Sequence, residues 1–334
     1  MAKLTKKSKS KKNNKFNKLL LGLLIFGLVI FAIYSYRFTI YDDVKLINYH
    51  PSQAISKLAT QDTMTSYART IFYINSPTLL SQSLFAKQCP NSDIKQMVVL
   101  GCYHGNEGGI YILSVNDPTL YGIEQVTAAH EMLHGIYDRL SSSAKSNLDA
   151  MLENYYLHGL TDPRIKKEIA LYQKTEPGAV LNEMNSTFGT ECPTLPAALN
   201  KYYSQFFTNR QVIVKYEQSY QNALTSRETA VSNYDSQLSS LNNQINSLEA
   251  TLQIEKYNLN NSLNNLHTLA TTNPVSYQQQ ALLYNQRVNS FNSQIYQLQS
   301  LINQYNQIIV ARNKVATQLD SLESQISSSL QTVK

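Results

Sequence analysis

The stretch VTAAHEMLHGIYD, Val126 to Asp138, decides how the rest of this chain is read. His130 and His134 are four residues apart, and on an α-helix such residues share a face. Both imidazoles can therefore reach one ion, with Glu131 beside them to take a proton from water. The segment also makes sense as packing. Leu133, Tyr137 and Leu140 form an apolar stripe, Met132 and Leu133 inside the motif are uncharged, and no proline interrupts the helix. The bland reading makes His134 a hydrogen-bonded core histidine and Glu131 a solvated face residue.

With Thr127 and Ala128 before it and Ile136 after it, this pattern resembles the zincin superfamily of metallopeptidases, over about ten residues around His130. The resemblance implies one Zn2+ ion held by His130 and His134, with Glu131 as general base in the hydrolysis of a peptide or protein substrate. It also implies a strand ahead of the helix whose edge takes peptide by β-augmentation, and GGIYILSV, Gly108 to Val115, is in place for it.

The zincin subclass turns on the third ligand. The metzincin pattern requires Gly at position 137 and His or Asp at position 140, whereas this chain has Tyr137 and Leu140. Gluzincins instead take a glutamate from a later helix. In GAVLNEMNSTFGTE that residue is Glu183, at the border of a stripe formed by Val180, Met184 and Phe188. A partly buried carboxylate there wants a partner, and a metal is a good one. Thr187, one turn on, is placed to orient a ligand, although the best-known gluzincins have an acid at that position. Glu176, Glu191 and Asp138 are the rival ligands, and an ion pair with Lys166 or Lys167 is the alternative role for Glu183. For the group that stabilises the oxyanion, His158, Tyr155, Tyr156, Tyr202 and Tyr203 are undistinguished by sequence. His50, His104 and His267 read as incidental.

Around the motif, QMVVLGCY and GGIYILSV are β-rich runs separated by HGNE, a hairpin signal. Helical patterns follow: one near Leu120 to Leu140, and a second capped by Ser141 and stopped at Gly159. A third has Thr161 as cap and Pro163 in its first turn, and a fourth runs from Pro177 to a stop at Gly189. Strands first, then helices, predicts an α+β zincin-like metallopeptidase domain over residues 76–208. Residues 37–75 read as stalk and domain entry, with a strand at TIFYIN, Thr70 to Asn75.

Residues 1–18 hold Lys3, Lys6, Lys7, Lys9, Lys11, Lys12, Lys15 and Lys18 and no acid, while the whole chain is only +6. The basic balance belongs to this tail, so it gives no reason to expect a nucleic-acid partner for the folded part. Residues 19–36, LLLGLLIFGLVIFAIYSY, carry no charge. As a helix they rise about 27 Å, near the hydrocarbon thickness of a bilayer. The lysine flank predicts a single-pass cell-membrane anchor with a cytoplasmic N-terminus and everything from Arg37 onward outside. A cleaved secretory signal is the competing reading, and the bulky YSYRF at its end argues against it.

Residues 209–334 are rich in Asn, Gln and Ser, with one proline and no glycine. Leu238, Leu241, Ile245, Leu248 and Leu252 are heptad-spaced, as are Val288, Phe291, Ile295, Leu298, Ile302, Tyr305 and Ile309. Folding the chain back between Asn273 and Pro274 sets Leu252 opposite Ile295 and Ile245 opposite Ile302. This predicts a long antiparallel coiled-coil helical hairpin, with a longer parallel dimer as the alternative. Such a hairpin reads first as a structural stalk or spacer, and it also offers a surface for a partner or a second copy. The three cysteines suit an exported protein, with Cys89 and Cys102 paired, Cys192 free and other pairings left open. The whole predicts a membrane-anchored extracytoplasmic zinc metallopeptidase. Its alternatives are a catalytically silent cell-surface scaffold or adhesin, and a cell-wall peptide amidase.

Overall fold

The computed structural model describes residues 9–47, 49–90, 99–105 and 108–327. Lys3, Lys6 and Lys7, the start of QMVVLGCY (Gln96 to Val98) and the middle of HGNE (Asn106 and Glu107) lie outside the described residues. The described chain forms two compact units. One comprises residues up to Ser114 together with Gly122–Glu217, the other Val115–Tyr121 together with Gln218–Ser327.

In the first unit, α1 spans Lys9–Ser35, so the later lysines of the basic tail are helical and continuous with the apolar run. Within it Phe16–Ser35 is long and apolar enough to cross a membrane by length and composition, and none of it is buried. After Tyr36 comes α2, Arg37–Leu46. The Asp42 carboxylate of α2 is gripped by both guanidinium nitrogens of Arg139. Helices α3, Gln53–Gln61, and α4, Ser66–Ile74, follow.

TIFYIN is therefore helical, a correction to the strand expected there. The Thr65 hydroxyl caps α4 by accepting from Ala68 N. Ala68, Ile71 and Phe72, spaced by three and one, are fully buried together. A packed helical stripe outweighs the β-propensity of Thr, Ile, Phe and Tyr. With Ile55 and Leu58 each 3% exposed, this stretch is core and not stalk.

The sheet has three strands: β1, Thr78–Leu80; β2, Gly101–His104; and β3, Gly109–Leu113. Its order is β1-β3-β2, with β1 parallel to β3 (Leu79 opposite Ile112) and β2 antiparallel to it (Cys102 opposite Tyr111). Between β1 and β2 lies α5, Gln82–Gln88, whose C-cap Cys89 is disulfide-bonded to Cys102. Cys192 is a buried free thiol. A 3-10 turn at Pro118–Leu120 precedes α6, Ile123–Asp138.

Almost every residue of α6 is buried, because α3, α4, β2, β3 and α9 all pack on it. Helix α7, Ser142–His158, starts at its Ser141 cap and ends before Gly159. Helix α8, Pro163–Thr175, is capped by the Asp162 carboxylate and not by Thr161. Helix α9, Val180–Glu191, runs through Gly189 where a stop was expected. This glycine serves close approach: a Cβ on it would meet Leu133 Cδ1 at 2.5 Å. The short α10, Ala197–Tyr203, follows.

The first turns of α11 belong to this unit. Ile213 and Val214 are at most 1% exposed. Buried Arg210, just before α11, donates to the carbonyls of Phe188, Gly189 and Cys192 at the end of α9, the last at 2.7 Å.

In the second unit, α11, Gln211–Thr272, and α12, Pro274–Ile326, meet at Asn273, whose side chain caps α12. Arg287 bonds Glu255 and Arg312 bonds Asp235, each at 3.0 Å, so the two helices run antiparallel. Leu241, Leu252, Leu259 and Leu266 are buried along the seam. Ile302 departs from the expected seam at 36% exposed, and Leu301 is the more enclosed of the two. The polar side chain of Gln325 ties the end of α12 to Asp117 at 3.1 Å.

Candidate metal centre

Helix α6 places His130 and His134 one turn apart, with ring centroids 4.9 Å from each other. Facing them, α9 presents Glu183. Its carboxylate straddles the pair, 3.5 Å from His130 Nε2 and 3.6 Å from His134 Nε2. The three side chains are 18%, 10% and 13% exposed, so the cluster is shielded and open to solvent on one side.

Two ligands bound to zinc at about 2.1 Å in tetrahedral geometry stand roughly 3.4 Å apart. The observed separations match, and the donor set of two imidazoles and a carboxylate suits that ion.

Electrostatics agree with the geometry. Burial alone would push the Glu183 carboxyl up, but His134, a hydrogen bond with His130 and another from Tyr172 outweigh it and hold the group below its ordinary range. Burial opposes the charge on His130, yet Glu183 and Glu131 raise it to about 9. Glu131, 5% exposed, is raised by burial, with His134 and His130 working against the shift. A carboxylate held in this way is a better proton acceptor than a solvated one.

Strand β2 forms the wall behind Glu131. A Cβ on Gly101 would stand 2.5 Å from Glu131 Oε1, so only glycine lets the strand come this close. Two residues on, the Tyr103 ring stacks on His134 with centroids 6.3 Å apart. Strand β3, the expected peptide-binding edge, is paired on both sides; β2 is the edge strand beside α6.

The structure brings together His130, Glu131, His134 and Glu183 and leaves the rival ligands elsewhere. Glu191 bonds Arg164 at 2.7 Å, Glu176 is the C-cap of α8, and Asp138 is hydrogen-bonded to Tyr103. Lys166 and Lys167 are exposed, and no ion pair joins either to Glu183 among the described residues. The expected role of Thr187 does not hold. Its hydroxyl is buried without a hydrogen-bond partner among the described residues, and Tyr172 of α8 bonds Glu183 instead.

Of the oxyanion candidates, Tyr155 donates to Thr194 O and Tyr203 to Asn185 O, while His158 contacts Asn154 O. Tyr202 is packed against Tyr203 and Phe206, and Tyr156 follows Tyr155 in α7. Sequence reasoning missed Tyr172 and Glu168, which sit one turn apart on α8 and face this cluster. Glu168 is raised to about 8 by burial and by Glu191. The only available signal was the amphipathic spacing of α8, which does not say what its face meets. His104, read as incidental, contacts the disulfide. Compared with protein-family models, curated proteins and solved structures, the chain matches none.

Proposed function

We propose that this chain is a membrane-anchored zinc metallopeptidase of the gluzincin kind. The observation that carries the reading is the convergence of His130, His134 and Glu183 on one point with Glu131 buried beside them. His130, His134 and Glu183 would hold the ion. When bound, zinc supplies a Lewis acid and lowers the pKa of water to about 7.

The residues do the rest. Glu131 takes the proton from the attacking water and returns it to the leaving amine. Tyr172, the phenol bonded to Glu183, orients that ligand. A peptide would add to the edge of β2, which pairs only with β3 among the described residues and passes Glu131 and His134. In this reading the Lys3 to Lys18 flank stays in the cytoplasm, residues 19–36, within the apolar part of α1 and its end, span the membrane, and the catalytic unit and the hairpin lie outside. The hairpin serves a partner or a second copy.

The test is metal content and peptide hydrolysis by the full chain in detergent, beside Glu131→Gln. One zinc per chain in both, with hydrolysis in the wild type alone, supports the proposal. Equal hydrolysis by the two removes the enzyme reading and favours the scaffold.

A further inference from the structure

A second set of metal-ligating groups lies outside the His130 cluster. Cys89 caps α5, and Cys102 and His104 lie in β2. The two cysteines are joined, with Cα atoms 6.0 Å apart. His104 Nε2 is 3.2 Å from Cys102 Sγ and 3.0 Å from the Gln88 carbonyl oxygen. All three ligand atoms fall within 4.8 Å of one another. Cys89 is buried, Cys102 half-buried and His104 exposed, which gives the set a closed floor and an open mouth.

We propose that Cys89, Cys102 and His104 form a thiol-dependent metal site, closed by the disulfide and opened by reduction to take a soft divalent ion such as Zn2+. Two thiolates and an imidazole are a ligand set that zinc accepts, with a fourth position left for water or the Gln88 carbonyl. Thiolates about 2.3 Å from a zinc ion stand roughly 3.8 Å apart. From bonding distance the sulfurs need to part by less than about 2 Å, which side-chain torsions can supply. The imidazole is already in place.

The chemistry balances. A dithiol donor gives two electrons and two protons to the Cys89–Cys102 bond and closes its own disulfide, with attack at the more accessible sulfur, Cys102. The ion then displaces both protons from the thiols. The site is distinct from the His130 cluster but shares a wall with it, since Gly101 and Tyr103 on either side of Cys102 touch Glu131 and His134.

The test uses the full chain in detergent, reduced with a phosphine, which leaves no competing thiol and draws its oxygen from water. After the reductant is removed, Cd2+ is added. The expected result is one extra equivalent bound on reduction, with a thiolate-to-metal absorption band that the oxidised chain lacks. His104→Ala should keep the band and weaken binding about tenfold or more, and Cys89→Ser/Cys102→Ser should abolish it. His130→Ala/His134→Ala should leave it intact, which separates this site from the proposed catalytic one. Far-UV circular dichroism of the reduced chain and of the double serine variant checks folding. A reduced, helical chain with no band overturns the proposal. So does a band that survives in the double serine variant, or loss of helix on reduction.

Discussion

Gly189 in α9 lies directly against Leu133 in α6, so close that a Cβ would stand 2.5 Å from Leu133 Cδ1. Tyr203 closes the other side, its Cε1 at 2.7 Å from the same point. Adding the methyl must displace the Leu133 and Tyr203 side chains between two helices that carry the two halves of the proposed ligand set. Gly189→Ala should cost about 1–3 kcal/mol in a denaturant melt. It should also lower zinc affinity although no ligand is touched. Unchanged affinity with reduced stability would show that the packing of α6 on α9 at Gly189 does not control the site.

If the proposed centre is right, removing Glu183 should have a larger effect than removing Tyr172, which bonds it. Glu183→Ala leaves two imidazoles, and zinc affinity should fall by more than about 100-fold. Tyr172→Phe should lower it roughly 10-fold by freeing the carboxylate. Isothermal titration with Zn2+ checks both, and stoichiometric, tight zinc in Glu183→Ala would move the ligand role to another acid.

Thr187→Val should go the other way. The hydroxyl of Thr187 is buried with no hydrogen-bond partner among the described residues. Replacing it with a methyl of the same shape removes that penalty, and a gain of about 1 kcal/mol is expected with zinc binding unchanged. A loss of stability or of zinc would mean that the hydroxyl has a partner when the site is filled.

Buried Asp42 and half-buried Arg139 form a bidentate pair between α2 and the C-cap of α6. Breaking it from one side leaves an unpaired buried charge, at a cost of about 3–5 kcal/mol. Arg139→Ala and Asp42→Ala should each show this, and the double variant should cost less than their sum. Hydrogen exchange across α2 should rise in all three. Additive effects would mean that the pair contributes little as a unit.

Stability should decline as pH rises toward neutrality and beyond. Burial and the nearby Glu191 raise Glu217 from 4.5 to about 7 against the attraction of Arg164. An acid raised on folding favours the native state below its unfolded pKa, and that advantage disappears as pH climbs through the folded value. The window is therefore about pH 4.5 to 7, worth roughly 3 kcal/mol at most for Glu217. Glu168, raised to about 8, extends the same trend upward. Thermal melts at pH 5 and pH 8 should differ more for the wild type than for Glu217→Gln. A parallel response of the two would exclude Glu217 as a source.

What was legible in the sequence was local. The four-residue spacing of His130 and His134 needs only a helix, and Glu183, which the fold brings beside them, could be singled out because it borders an apolar stripe. The fold-back at Pro274 was legible because heptads mirror about it. What failed was non-local. The period of Ala68, Ile71 and Phe72 was masked by β-prone side chains, and the pairing of β3 on both sides depends on β1, a strand of three residues. Gly189 reads as a stop until Leu133 is seen to be its neighbour. Tyr172 and Glu168 were invisible because nothing in α8 says which helix its face will meet.

The grip of Arg210 on the carbonyls at the end of α9 decides where this protein can be cut. Composition changes near residue 208, and a recombinant fragment ended there would look reasonable on paper. It would leave four-residue-deep carbonyl ends of the Glu183 helix without their donor, strip Ile213 and Val214 from the core, and take Glu217 away from Arg164. A minimal fragment that keeps the His130, His134 and Glu183 cluster together must therefore carry the root of the hairpin helix through Glu217, and shorter ones should aggregate.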